Sequence, residues 1–313
     1  MQKVIMMSGK AQSGKDTAYE LIQPHMYKFK YPNPVKRIGF ADALKESAKK
    51  DFGWDGVKDD TGRKFLIDFG QLMRNESIEL QSFYKVAHEK IVCREDLKRY
   101  ANDKGANPNY WADIVSNIVS EDSETDYIIT DFRFKNEYEV MKESRCGRNP
   151  LYSIRIQRDS ELSIDDRSET ELDDFKHFDY YISNNGTKDE YQEKLGIFVD
   201  FIFGATDNMN HLIYISGQMT GIENYNRKNF FDVNEMLMKK AFNVLNPFIV
   251  GAKFKKDFGL NEDEISWKNF LKEDLKLLLN CDMMYMLKGW ENSKGALLEH
   301  KVAKECGLDI IYE

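Results

Sequence analysis

Val4-Ile5-Met6-Met7-Ser8-Gly9-Lys10-Ala11-Gln12-Ser13-Gly14-Lys15-Asp16-Thr17 opens the chain with an apolar run that ends in a glycine-rich turn. An uninterrupted apolar run of strand length is the pattern of a strand buried on both faces. A helical pattern follows Lys15. Strand, glycine turn and helix in that order make a cradle for phosphate. Glycine lets the backbone wrap around the anion, and successive N–H groups point inward. The helix N-terminus adds partial positive charge. Gly9, Ser13 and Gly14 shape this cradle, and Lys15 is placed to bridge phosphate oxygens.

Working outward, the chain of 313 residues has room for about two domains. With 42% apolar and 31% charged residues, its composition is globular and excludes a disordered chain. The net charge of -8 argues against a protein that coats polymeric nucleic acid. It leaves room for small phosphorylated ligands, which need only a local cationic pocket. No apolar stretch is long enough to span a bilayer, and Met1-Gln2-Lys3 leads straight into the first strand without a secretory pattern. Cys93, Cys146, Cys281 and Cys306 lie far apart and show no metal spacing. Reduced thiols in a cytoplasmic protein are the expectation.

A second run, Leu212-Ile213-Tyr214-Ile215-Ser216-Gly217, repeats the opening pattern. The segment before it, Phe203 to His211, is small and polar, and the domain boundary is expected there. Helical patterns follow Phe40, Arg63 and Pro108. Tyr127–Asp131, Leu151–Ile156 and Asp179–Ser183 read as strands of the first part. Leu212–Ser216, Asn243–Leu245, Met283–Leu287 and Asp309–Tyr312 read as strands of the second. Strand-helix alternation in both parts predicts an α/β fold with parallel sheets and helices on both faces.

Several motifs carry a resemblance. Gly-Lys-Asp-Thr at 14–17, with Asp16 where Ser or Thr is usual, resembles the phage deoxynucleoside monophosphate kinases. The likeness runs over most of residues 1–200, through Phe40-Ala41-Asp42-Ala43-Leu44-Lys45, Phe65 to Arg74, Asn109-Tyr110-Trp111, Asp131 to Glu137, Ser168-Glu169 and Ser183-Asn184-Asn185-Gly186. It implies ATP-dependent phosphorylation of a nucleoside monophosphate, where the protein supplies position and counter-charge. Lys15 and the loop would hold the donor phosphates, and Asp16 or Thr17 would orient Mg²⁺. Asp131 would join the metal shell or the acceptor site; its alternative is a helix cap. Arg133 and Arg74 are candidates for the acceptor, or else a surface pair and an exposed helix residue. Arg158 and Arg167 flank a polar stretch that could close as a lid and bring cationic charge to the donor.

The tail runs Gly289-Trp290-Glu291-Asn292-Ser293-Lys294-Gly295-Ala296-Leu297-Leu298-Glu299-His300 after an apolar strand. Glu299 is read near a helix start, where the dipole would keep its carboxylate ionised and ready to attack an anomeric carbon. Residues 211–313 resemble the nucleoside 2-deoxyribosyltransferase-like superfamily, most closely its short phage and bacterial members. The matching parts are Tyr214 to Gly221, Asn246-Pro247, Asp274 to Asp282 and Ser293 to Glu299. The resemblance implies that Glu299 attacks C1′ and that Asp274 handles a proton or positions the sugar. Tyr214, Gly217 and Gly221 would line the substrate. Ser293 stands where the transferases carry aspartate and the 5′-monophosphate N-hydrolases carry serine, which favours a nucleotide. The arginine of the hydrolases' first loop is missing, with Arg227 or Lys228 as substitutes. Asp282 reads as a cap or turn, and His300 as structural. Trp290 is open between stacking on a base and packing.

The combined expectation is two domains: a P-loop NTPase-type parallel sheet over 1–205, then a smaller doubly wound Rossmann or flavodoxin-like domain over 211–313. The implied protein is a bifunctional nucleotide enzyme using ATP and Mg²⁺, in the host cytoplasm if viral. It would phosphorylate nucleoside monophosphates and cleave or exchange their N-glycosidic bond. Its partners are small nucleotides, with no polymeric nucleic acid or membrane, and a homo-oligomer is expected. The alternatives are a kinase whose C-terminal domain senses a nucleotide or binds a partner without chemistry, and a kinase acting on another small acceptor.

Overall fold

The computed structural model describes residues 2–29, 33–145, 150–159, 167–203, 211–240, 242–251 and 267–313. Cys146, residues 204–210 of the expected linker and residues 160–166 of the expected lid lie outside them. The described cysteines, Cys93, Cys281 and Cys306, are free thiols. Among the described residues, no helix is long and apolar enough to cross a membrane.

β1 (Val4–Ser8) is the opening apolar run, buried at all five positions. α1 (Lys15–Phe29) follows the glycine turn. β2 (Val35–Ile38) exposes Lys36 and Arg37 at its centre, as suits a charged sheet edge. α2 (Phe40–Phe52) ends on Gly53, whose φ of 70° takes the left-handed conformation that closes many helices. α3 (Asp60–Met73) starts where the Asp59 carboxylate accepts the Gly62 N–H. Then come β3 (Phe83–Ala87), β4 (Lys90–Cys93), α4 (Arg94–Lys104), α5 (Tyr110–Glu121), β5 (Asp126–Ile129), α6 (Lys135–Arg145), β6 (Leu151–Gln157) and α7 (Arg167–Thr170). β7 (Tyr180–Ser183), α8 (Lys188–Phe203), β8 (Leu212–Ser216), α9 (Arg227–Lys239), β9 (Asn243–Leu245) and α10 (Trp267–Leu278) follow. β10 (Met283–Met286), α11 (Lys294–Glu305) and β11 (Asp309–Tyr312) finish the chain.

The chain divides into two compact units. The first comprises Met1–Ser8, Asn33–Tyr152 and Ile164–Phe175. Its strands run β2-β5-β1, all parallel, with Val35 opposite Asp126 and Val4 opposite Tyr127. The β3–β4 hairpin is antiparallel and stands beside α3. An aromatic core lies among these helices. Phe69 is fully buried, with edge contacts to Phe52 at 5.1 Å and Trp111 at 5.5 Å.

The second unit comprises Gly9–Pro32, Ser153–Ser163 and Lys176–Glu313. Its strands run β6-β7-β11-β10-β8-β9. Pairings are parallel throughout except β7 with β11, which are antiparallel through Ile310 opposite Tyr181. The expected α/β class with largely parallel strands is therefore observed, with one reversal. At that seam two parallel sets meet edge to edge, and each edge gains partners for N–H and C=O groups that water would otherwise hold. No crossover helix links β7 directly to β11 in sequence, so nothing imposes parallel direction there.

Phe69→Ala is expected to destabilise the fold by ~3–5 kcal/mol, because the first unit's aromatic contacts close around a ring that collapse cannot replace. Chemical denaturation followed by tryptophan fluorescence checks this.

Candidate functional site

The second unit contains the glycine turn. Gln12 and Gly14 adopt φ of 62° and 98°, which curls the backbone between β1 and α1 into a cup. Lys15 is 9% exposed, and its ammonium donates to the Gly9 carbonyl and, at 2.8 Å, to the Lys10 carbonyl. Two more of the loop's carbonyls are taken from outside. Asn184 Nδ2 donates to the Ser13 carbonyl at 2.8 Å, and the Tyr191 hydroxyl to the Gly14 carbonyl at 3.1 Å. Gly14 is required twice over: its φ is positive, and a Cβ there would stand 2.5 Å from Asn184 Nδ2. Ser13 Oγ is buried without a hydrogen-bond partner, an uncommon state for a hydroxyl. The residues expected to hold a donor phosphate thus come together, and Asn184 and Tyr191 join them.

Asp16 is exposed and Thr17 half-buried in the first turn of α1. They offer hard oxygen donors, which fits Mg²⁺, an ion that takes one or two protein oxygens and completes its shell with phosphate and water. Among the described residues no group of three or more His, Cys, Asp or Glu is arranged to hold a metal. Arg158 is exposed at the end of β6, and Asn185 grips its neighbour Asp159 through the backbone N–H at 2.7 Å and the carboxylate at 2.8 Å.

In the first unit, Asp131 takes the capping role. Its two carboxylate oxygens accept the N–H groups of Phe40 and Ala41, each at 2.8 Å, at the start of α2. Burial pushes its carboxyl up, against the pull of those N–H groups. Arg133 donates to Ser168 Oγ at 3.0 Å and pairs with Glu169 at 2.6 Å. Arg74 closes α3 with its guanidinium 4.8 Å from the Phe134 ring centre, and Arg167 lies 5.5 Å from the same ring. Glu76 accepts from Arg74 at 2.8 Å and from Arg167 at 3.4 Å. Three expected arginines are thus held by glutamates, two of them against one aromatic ring. Glu137 caps the turn beneath them, accepting the N–H groups of Arg133 at 2.8 Å and Phe134 at 3.0 Å. Glu76, Phe134 and Glu137 were not anticipated; only the adjacency of Phe134 to Arg133 hinted at them.

The second unit also holds the tail residues. Glu299 is 7% exposed, and its two oxygens accept Ser216 Oγ at 2.5 Å and the Tyr214 hydroxyl at 3.1 Å. Tyr214 and Ser216 are two apart on β8 and so share a face. The expectation that the helix start keeps Glu299 ionised is corrected. α11 begins at Lys294, so Glu299 sits beyond the first turn, where the dipole's influence has faded. Burial pushes its carboxyl up, and the two hydroxyls work in the other direction. Asp274 is raised to about 7 by burial and then by the negative charge of Glu299.

Ser293 caps α11, its oxygen accepting the Ala296 N–H at 3.3 Å, and its O–H can still donate. Gly217 leaves no room for a side chain, since a Cβ would stand 2.7 Å from Leu287 Cβ. Gly221 has φ of 84°. Asn224, Tyr225 and Asn226 all take left-handed φ, and Asn226 Nδ2 donates to the Gln218 carbonyl at 3.0 Å. Arg227 stacks 5.0 Å from the Phe231 ring centre, and Lys228 pairs with Asp232 on the surface. Asp282 accepts the Leu212 N–H at 2.8 Å, a bond that ties the starts of β8 and β10 together rather than forming the expected cap or turn. Trp290 packs on His300 at 4.3 Å, and His300 Nε2 lies 2.7 Å from the Tyr312 hydroxyl, so both have structural partners.

Residues 211–312 match a family model described as "Domain of unknown function (DUF4406)". Among solved structures, the APS kinase of Mycobacterium tuberculosis in complex with AMPPNP and APS is similar at 9% identity. That match covers 62% of this chain and 95% of the other, with a TM-score of 0.30. A putative plasmid partition protein from Borrelia burgdorferi bound to AMPPNP is similar at 14% identity, over 66% of this chain and all of the other, with a TM-score of 0.24. Neither superposition is close enough to carry fold or chemistry over to this chain.

Glu137 supplies a stability test. Burial raises its carboxyl from 4.5 to about 8, so between those values the folded protein holds a proton that the unfolded chain has released. Its contribution is full below the lower value and is lost as pH rises through the higher one. Glu137→Gln is expected to flatten the loss of stability over that window, read from melting temperatures against pH.

Proposed function

We propose that the chain is a bifunctional nucleotide enzyme. One activity phosphorylates (deoxy)nucleoside monophosphates with ATP, and the other cleaves or exchanges the N-glycosidic bond of (deoxy)nucleoside 5′-monophosphates. The first is assigned to a P-loop kinase-like segment, 1–205, and the second to a deoxyribosyltransferase-like segment, 211–313. A homo-oligomer of this chain in the cytoplasm belongs to the same reading.

The observation that carries the kinase half is the cup around Lys15. A buried lysine, carbonyls tied back by Asn184 and Tyr191, and an unpartnered Ser13 hydroxyl favour an anion seated at the start of α1. In the reaction, an oxygen of the acceptor's phosphate attacks the γ-phosphorus of ATP, and the bond to the β,γ-bridging oxygen breaks. Lys15 balances charge on the transferred group. Asp16 and Thr17 would hold Mg²⁺, which neutralises phosphate charge when bound. Arg74 and Arg133 are the candidates for the acceptor's phosphate or base, which would displace their glutamates, and Arg158 and Arg167 for cationic charge on the donor side. Asp131 serves as a positioning residue for α2.

In the second activity the Glu299 carboxylate attacks C1′ and the bond to the base breaks. Asp274, raised to about 7, retains a proton near neutrality that can pass to the departing base. Water or another base then releases the glycosyl group. A second reading, a nucleotide sensor without chemistry, is favoured by the burial that pushes Glu299 toward its neutral form.

Lys15→Ala is expected to lower ADP formation by roughly a thousandfold while base release persists. Glu299→Gln is expected to do the reverse. Base release in the parent should fall as pH rises through about 7, where Asp274 loses its proton. Chromatography of nucleotides and free bases reads all three, and a parent that releases no base favours the sensor.

A further inference from the structure

The residues that hold the phosphate loop are themselves held by the C-terminal segment. Asn184, which binds the Ser13 carbonyl, directly follows Ser183, whose N–H donates to Asp309 Oδ1 at 3.3 Å. Tyr191, which binds the Gly14 carbonyl, lies one helical turn before Lys194 on α8. The Lys194 ammonium donates to Asp309 Oδ1 at 3.2 Å and to the Gly307 carbonyl at 3.0 Å. Asp309 is 1% exposed and opens β11, the strand that pairs with β7. One buried carboxylate therefore fixes both elements that tie back the loop.

We propose that Asp309 is a positioning residue for the donor site, acting on the loop through Ser183-Asn184 and through Lys194-Tyr191. This rests on the kinase reading and deepens it: the family-matched segment completes the support of a phosphate cradle more than two hundred residues earlier in the chain. The physical reason is the carbonyl tether. An anion cup works when its N–H groups are fixed before the ligand arrives. Without the Asp309 charge, the Lys194 ammonium loses its ion pair and the Ser183 N–H keeps only a neutral acceptor, so both tethers loosen.

The test uses the full chain. Calorimetric titration with ATP and magnesium is run on the parent, Asp309→Asn, Asn184→Ala and the double variant. Asp309→Asn is expected to weaken ATP binding roughly tenfold and raise the KM for ATP, leaving the KM for the acceptor unchanged. The double variant should bind less weakly than the product of the two single losses, because Asp309 acts on the loop in part through Asn184 and keeps only the Lys194-Tyr191 route of its own. Effects that multiply, or parent-like binding by Asp309→Asn, would overturn the inference while leaving the kinase reading intact. A parent that binds no ATP overturns both. If Asp309→Asn does not fold, Lys194→Gln combined with Tyr191→Phe carries the same comparison, with the same non-additivity expected and multiplying effects overturning it.

Discussion

A loop that turns its N–H groups toward an anion must dispose of its carbonyl oxygens elsewhere. In this chain Lys15 reaches back to the carbonyls of Gly9 and Lys10, while Asn184 and Tyr191 hold those of Ser13 and Gly14. The Gly14 carbonyl also accepts the Ala18 N–H at 2.8 Å, which starts α1. These bonds let the positive φ values at Gln12 and Gly14 persist, since a strained turn survives only where its surroundings over-determine it.

Glu299 obeys a related constraint. A carboxylate in a nearly dry setting is costly unless its oxygens are paired. Two hydroxyls from one face of β8 meet that need and also fix the group's direction. Burial and hydrogen bonding pull its protonation in opposite senses, and Asp274 titrates under the same negative field. The proposed second activity uses this difference, with Glu299 as nucleophile and Asp274 as acid.

Much of this was legible in the residues. β1, β8 and β10 fall where apolar runs of strand length occur, because burial on both faces leaves no other composition. The glycine turn and Lys15 were legible because φ sign and charge are local demands. The β3–β4 hairpin was not: β3 alternates between exposed and buried positions, but Phe83 and Ile91 are apolar yet exposed, so polarity does not alternate with it. The antiparallel seam of β7 and β11 depends on two distant edges finding each other, for which no local signal exists. Asn184 stood in a quoted motif, but its bond to the Ser13 carbonyl spans 171 positions. Glu299 stood in a quoted motif, but the burial that pushes its carboxyl up comes from distant packing around it, which the helix pattern alone does not show.

The central claim is that the Lys15 cup delivers phosphate to a nucleotide. Mass spectrometry of the full chain incubated with ATP, magnesium and each nucleoside monophosphate in turn tests it most directly. The expected products are ADP and the diphosphate of at least one monophosphate, formed in equal amounts. ATP left intact with every monophosphate, or ADP formed with no diphosphate, would contradict it.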